Sequence, residues 1–209
     1  MQDLNSIKSS VAEMARVALA MWQTTHKAFM EHDLDLIEVA LKDENKLNAM
    51  EKQITQRLVE LSSYACSKKE KSDITVYTEA VGDLELIGDY CKDILERVHI
   101  KIDEKLLFSD DAVEDYSVLY AKAEDVLKDV VLALEKGCTG GLEKDKNNID
   151  KIVDSCRKKH DQRLIAGVFS PLACNMFLNM LDFTAAVYSH ARKVLRNLHN
   201  LGGPVQGNC

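Results

Sequence analysis

Apolar residues recur along this chain at the three-and-four spacing that lines one side of an α-helix, in six stretches separated by short polar punctuation. The first stretch runs from about Leu4 to His32, with Val11, Ala15, Ala18, Trp22 and Phe29 on one side. Asp33 is placed to cap the second, whose stripe is Leu34, Ile37, Leu41, Leu47, Ile54, Leu58 and Leu61. Lys68 to Lys71 interrupts the pattern and reads as a solvated loop. Ser72 then reads as the N-cap of a third helix carrying Val81, Leu84, Ile87, Ile94 and Val98.

Ser109-Asp110-Asp111 predicts the start of a fourth helix, because a capping hydroxyl and an acidic first turn suit the positive end of the helix dipole. Val118, Ala121, Val126, Val130 and Leu134 form its stripe, and Gly137-Cys138-Thr139-Gly140-Gly141 ends it. A fifth helix carries Leu142, Ile149, Ile152, Val153 and Leu164 and stops near Gly167. Ser170-Pro171 opens the sixth, with Phe177, Leu181, Val187, Ala191, Val194 and Leu198 on its apolar side. Short links between long amphipathic helices force antiparallel packing. The expected fold is therefore all-α, two tandem three-helix bundles related by an internal repeat. The first covers residues 1–104 and the second 105–200, with the seam between Ile102 and Ser109; residues 201–209 read as a disordered tail.

Composition agrees with helices and narrows the function classes. The 209 residues include only two prolines and nine glycines, so long segments carry no helix breaker. A net charge of −7, with no basic cluster, argues against a nucleic-acid partner. The longest apolar run, Val17 to Trp22, is far short of the roughly 20 residues that span a bilayer. With no basic-then-apolar leader either, a cytoplasmic protein is expected. Cys66, Cys91, Cys138, Cys156, Cys174 and Cys209 form no Cys-x-x-Cys pair and read as free, mostly buried thiols.

The chemistry-bearing residues concentrate in the first half. The third helix contains Gly82-Asp83-Leu84-Glu85-Leu86-Ile87-Gly88-Asp89-Tyr90-Cys91. Glu85 and Asp89 stand four apart, so their carboxylates share a helical face, repel each other and call for a cation, a basic partner or water. Gly88 costs a helix interior about 1 kcal/mol relative to alanine, which points to a close helix crossing there. A second acidic set, Glu44-Asn45-Lys46-Leu47-Asn48-Ala49-Met50-Glu51, lies on the second helix. If the two helices are antiparallel neighbours, Glu44, Glu51, Glu85 and Asp89 converge.

The third-helix segment resembles the signature of the PhoU family of phosphate-uptake regulators, usually written Asp-Leu-Glu-Arg-Ile-Gly-Asp-His. The resemblance extends from about Ile7 to Leu198. In the second half, His160, Arg163-Leu164, Gly167, Ser170-Pro171, Phe177 and Leu181 match the version found in the cytoplasmic domain fused to bacterial sodium–phosphate cotransporters. The acidic signature does not recur there: Ala185 and Ser189 replace both carboxylates, and Lys146 and Asp150 stand at the related fifth-helix positions.

The resemblance implies a non-enzymatic regulator that docks to a membrane phosphate transporter, a sensor kinase or both. It implies one iron or zinc cluster on the first bundle, held by Glu44, Glu51, Glu85 and Asp89, and none on the second. A homodimer is expected, and Lys68-Lys69-Glu70-Lys71 offers a contact for anionic lipid headgroups. Two other readings stay open: the severed domain of a sodium–phosphate cotransporter, and a di-metal carboxylate enzyme. The enzyme reading has no nucleophile elbow, phosphate-binding glycine loop or His-Glu-x-x-His behind it. His160, His190 and His99 form no His-x-x-x-His pair; His160 and Arg163 read as braces for the turn before Ser170.

Overall fold

The computed structural model describes residues 2–65, 67–137, 149–167 and 170–202. Among these, six helices and no strands occur. They are α1 (Gln2–Glu31), α2 (Leu34–Ser62), α3 (Lys68–Asp103), α4 (Asp110–Lys136), α5 (Ile149–Ile165) and α6 (Pro171–Gly202). Cys66, Cys138, Leu142, Lys146 and residues 203–209, including Cys209, lie outside the described residues.

The helix ends follow local hydrogen-bonding chemistry. Asp33 accepts from Asp35 N at the start of α2, and Ser109 accepts from Ala112 N at the start of α4. Gly137 ends α4 in the left-handed region at φ 72°, where a side chain would be strained. The start of α3 corrects the sequence reading. Ser67, not Ser72, is the N-cap: its hydroxyl accepts from Glu70 N at 3.1 Å while Glu70 Oε2 accepts from Ser67 N at 3.0 Å. This reciprocal pair satisfies two otherwise orphaned donors. Lys68 to Lys71 is therefore the first turn of α3 and no loop.

Helices α1, α2 and α3 pack on one another, as do α4, α5 and α6. The two trios are joined side by side, α3 along α6 and α1 along α4. Trp22 of α1 is fully buried and stacks on Tyr120 of α4, ring centroids 4.3 Å apart; His26 covers Tyr120 at 4.0 Å. The Tyr120 hydroxyl donates to the Trp22 carbonyl, so the aromatic pair also fixes register between α1 and α4.

Most predicted stripe residues are buried, with three departures. Leu34 is exposed at the outer edge of the α1–α2 turn, and Leu164 is exposed in the last turn of α5. In the first half of α4 the stripe is shifted: Val118 and Ala121 face outward, and Leu119, Tyr120 and Ala123 fill the core. The shift follows from α4 packing on both α1 and α6, which widens its buried face.

Candidate functional site

Close approach of α2 to α3 builds the acidic face. A Cβ added to Gly88 would stand 2.7 Å from Leu47 Cδ1, and Leu47 is fully buried. The glycine leaves room for the Leu47 side chain of α2 to seat on α3, in line with the close packing expected there. Flanking this contact, α2 carries Glu44 and Glu51 and α3 carries Glu85 and Asp89.

The acids of α2 and α3 lie within electrostatic reach of one another. Burial raises the proton affinity of Glu85, and the charges of Asp89, Glu51 and Glu44 raise it further. Asp89 is raised by burial and by Glu44, against the opposing pull of Lys92. Glu44 is the deepest member at 5% exposure. Its Oε1 accepts from Asn48 Nδ2 at 2.9 Å and lies 3.3 Å from Lys92 Nζ. Glu51 Oε1 accepts from Thr55 Oγ1 at 3.1 Å. Asn48 thus holds Glu44 in place where a further acid would have repelled it.

Lys92 is a member that the sequence reading missed. It stands three residues beyond Asp89 on α3, one turn further along the same face, and that spacing was its available signal. Its ammonium partly neutralises the patch from within. Among the described residues, no three of His, Cys, Asp and Glu are grouped to hold a metal ion. The side chains of Glu44, Glu51, Glu85 and Asp89 offer carboxylate oxygens only, donors that suit hard cations. Holding one would require Glu44 to exchange Lys92 for the metal.

The second bundle offers no matching face among its described residues. Ala185 is packed against the core and Asp150 is exposed. His160 is fully buried, stacked on Phe177 with ring centroids 4.5 Å apart, and its Nε2 lies 2.9 Å from Cys174 Sγ and 3.2 Å from the Cys174 carbonyl oxygen. It therefore braces α5 on α6. Among the described residues Arg163 reaches α4: its Nη2 donates to Asp115 Oδ2 at 2.8 Å, and Lys159 Nζ holds Asp115 Oδ1 at 2.6 Å, tying α5 to α4. Burial favours the neutral Asp115 carboxyl, but these two donors together pull its proton affinity below the usual carboxylate range.

Asp83, inside the signature segment, has a different role from its acidic neighbours. It is 2% exposed and turned toward α6, where His190 Nδ1 lies 2.8 Å and Lys193 Nζ 3.1 Å from its carboxylate. Asn197 Nδ2 donates to Glu79 Oε2 at 2.7 Å one step further along. The signature helix thus points one carboxylate into the α3–α6 joint and two onto the open face.

Comparison with known proteins bears on the fold. Residues 11–98 match the sequence model of the PhoU domain family. No curated protein sequence matches the chain. Among solved structures, PhoU from Pseudomonas aeruginosa superposes with a TM-score of 0.88 at 14% identity, over 96% of this chain and 97% of that one. The phosphate transport system regulatory protein PhoU from Streptococcus pneumoniae gives 0.84 at 15% identity, over 100% and 99%. Residues 11–98 thus match the PhoU domain family by sequence, and the fold of PhoU proteins extends over nearly the whole length.

Proposed function

We propose that this chain regulates phosphate uptake without catalysing a reaction, by presenting the acidic face of α2 and α3 to a membrane phosphate transporter or its sensor kinase. The observation that carries this reading is the electrostatic closeness of Glu44, Glu51, Glu85 and Asp89 across α2 and α3, within the segment that matches the PhoU domain family. Four acids kept together at an energetic cost make a site for positive charge. The fold relative from Streptococcus pneumoniae is itself a phosphate transport system regulatory protein.

The positive charge is supplied by a basic surface of the partner, or by iron or zinc bound through Glu44, Glu51, Glu85 and Asp89 after Lys92 has moved away. A bound metal would neutralise the face and bridge α2 to α3. Any such ion sits on the first bundle; anomalous scattering from crystals soaked in iron or zinc checks this, and a peak beside Ala185 and Ser189 alone would overturn it. The non-catalytic reading is supported by the buried His160–Cys174 contact. Burial lowers the proton affinity of His160 and raises that of Cys174, which leaves imidazole and thiol neutral.

A cytoplasmic location is part of the proposal. It is supported by the fact that no described helix is long and apolar enough to cross a membrane, and by the free thiols of Cys91, Cys156 and Cys174. A homodimer also fits, since the long helical faces of such bundles leave room for a second copy; light scattering across a concentration series checks it.

The regulatory reading is tested by radiolabelled phosphate uptake in cells lacking the gene, at low and high external phosphate. The expected result is that uptake no longer responds to external phosphate. Unchanged uptake curves would refute it.

A further inference from the structure

The α1–α2 turn, the α3–α4 link, the end of α5 and the start of α6 meet at one end of the molecule. Aromatic packing shows this directly. Phe108, in the α3–α4 link, lies 6.1 Å from Phe29 near the end of α1 and 5.4 Å from Phe177 near the start of α6, between ring centroids. Lys101, in the last turn of α3, is hydrogen-bonded to His32 in the α1–α2 turn.

Outside this packed layer, large apolar side chains face solvent. Met30, Leu34, Ile100 and Leu172 are exposed, and Leu107 and Ile165 more so, at 79% and 86%. Scattered single apolar residues need no explanation, but these six, drawn from five helices and a link, all lie at the same end. The charges around them are mainly acidic. Glu31, Asp103, Glu104, Asp110 and Asp111 are exposed there; Lys105 is the neighbouring cation, and Lys27 and His99 pair with Glu31 and Asp103.

The opposite end carries lysines beside Asp73 and the exposed Tyr64 and Val59. Lys8 of α1 and Lys69 of α3 share a cavity of about 210 Å³ with His199 of α6, and Lys68 and Lys71 lie in the same first turn of α3. An anionic lipid surface would be drawn to that end and repelled from the apolar one. A second copy meeting the apolar end by two-fold symmetry would place acids against acids.

We infer that the apolar, acid-rimmed end formed by Met30, Leu34, Ile100, Leu107, Ile165 and Leu172 docks a basic amphipathic segment of a partner protein. Apolar side chains of that segment cover the patch, and its lysines or arginines meet Glu31, Glu104, Asp110 and Asp111. Burial of exposed leucine and isoleucine supplies the affinity, and charge at the rim supplies the encounter rate and the orientation. This inference rests on the docking reading above, and it assigns docking a second surface, distinct from the α2–α3 face.

Fluorescence anisotropy with a labelled, short amphipathic leucine–lysine helix peptide tests it on the full chain. The peptide binds the wild-type protein, and a leucine–glutamate peptide of the same pattern does not. Leu107→Ser with Ile165→Ser weakens binding about tenfold or more, as does Glu104→Lys at low salt, and both weaken it more than Glu85→Gln with Asp89→Asn on the α2–α3 face does. All substituted side chains at the patch are exposed, so an unchanged melting temperature confirms that the fold is intact. The inference is overturned if the α2–α3 variants lose peptide binding and the patch variants do not. It is equally overturned if the patch variants abolish self-association or binding to phosphatidylserine vesicles in place of peptide binding. If the peptide binds at the patch but gene deletion leaves phosphate uptake unaltered, the regulatory reading fails and the docking surface stands.

Discussion

His190 on α6 holds its Nδ1 2.8 Å from Oδ1 of Asp83 on α3, across the joint between the two bundles. Asp83 is 2% exposed, whereas His190 and Lys193 reach the solvent on its far side. The cost of breaking this cluster therefore depends on which partner is removed. His190→Ala combined with Lys193→Ala strands a buried carboxylate and is expected to cost about 3 kcal/mol of unfolding free energy. Asp83→Leu leaves two cations free to turn toward water and is expected to cost about 1 kcal/mol or less. Urea unfolding of both variants measures the asymmetry; equal costs would show that Asp83 is not held mainly by its partners.

The two glycines of the signature helix are expected to respond with opposite signs. A Cβ at Gly82 meets nothing within 4 Å, so Gly82→Ala stabilises by about 0.5–1 kcal/mol through helix propensity. At Gly88 the same gain is opposed by contact with Leu47, and overpacking a core costs about 1–3 kcal/mol. Gly88→Ala is therefore destabilising on balance, and Leu47→Ala in the same chain removes the clash. A double-mutant cycle by thermal or urea unfolding reads this coupling.

Proton affinity on the open face makes a pH prediction. Folding raises the affinities of Glu85 and Asp89, chiefly through burial and then through neighbouring acids, so the folded state takes up protons more readily than the unfolded one. Their contribution to stability is present below the ordinary carboxylate values and is lost as pH rises through the raised folded values. Glu85→Gln is expected to raise the melting temperature at pH 7, by a few tenths of a kcal/mol per relieved pair, with a gain that vanishes toward pH 4. A gain independent of pH would contradict the repulsion.

Lys101 gives the reverse dependence at alkaline pH. It is buried, lies 5.3 Å from the Phe29 ring and 5.7 Å from that of Phe108, and forms no ion pair with a carboxylate among the described residues. Burial lowers its pKa to about 8. The unfolded chain then holds more protons than the folded one between about pH 8 and the ordinary lysine value, so stability rises with pH across that window. Lys101→Met is expected to abolish this rise, measured by thermal unfolding from pH 7 to pH 10.

Much of this architecture is legible in the sequence, because helix periodicity and capping are local. Asp33, Ser109 and Gly137 announce their own helix ends, and Gly88 announces a crossing, since a glycine is otherwise costly there. Ser67 was missed because a lysine-rich turn looks like a loop until Glu70 is seen to close the capping box. The α4 stripe was read out of place only at Val118 and Ala121, because α4 is buried on two sides and a single-face pattern cannot represent that. Spacing alone puts Glu85 and Asp89 on one helical face; bringing in Glu44 and Glu51 needs α2 packed beside α3. The Asp83–His190–Lys193 cluster could not, because its members are more than a hundred residues apart and nothing local marks them as partners.

The central claim is that the acidic face of α2 and α3 is the working surface of a phosphate-uptake regulator. Its most direct test is phosphate uptake in cells whose only copy of the gene carries Glu85→Gln and Asp89→Asn, with melting temperature and expression checked on the same variant. The account predicts a folded, normally expressed protein and uptake that no longer responds to external phosphate. A folded variant that controls uptake as well as the wild type would contradict it.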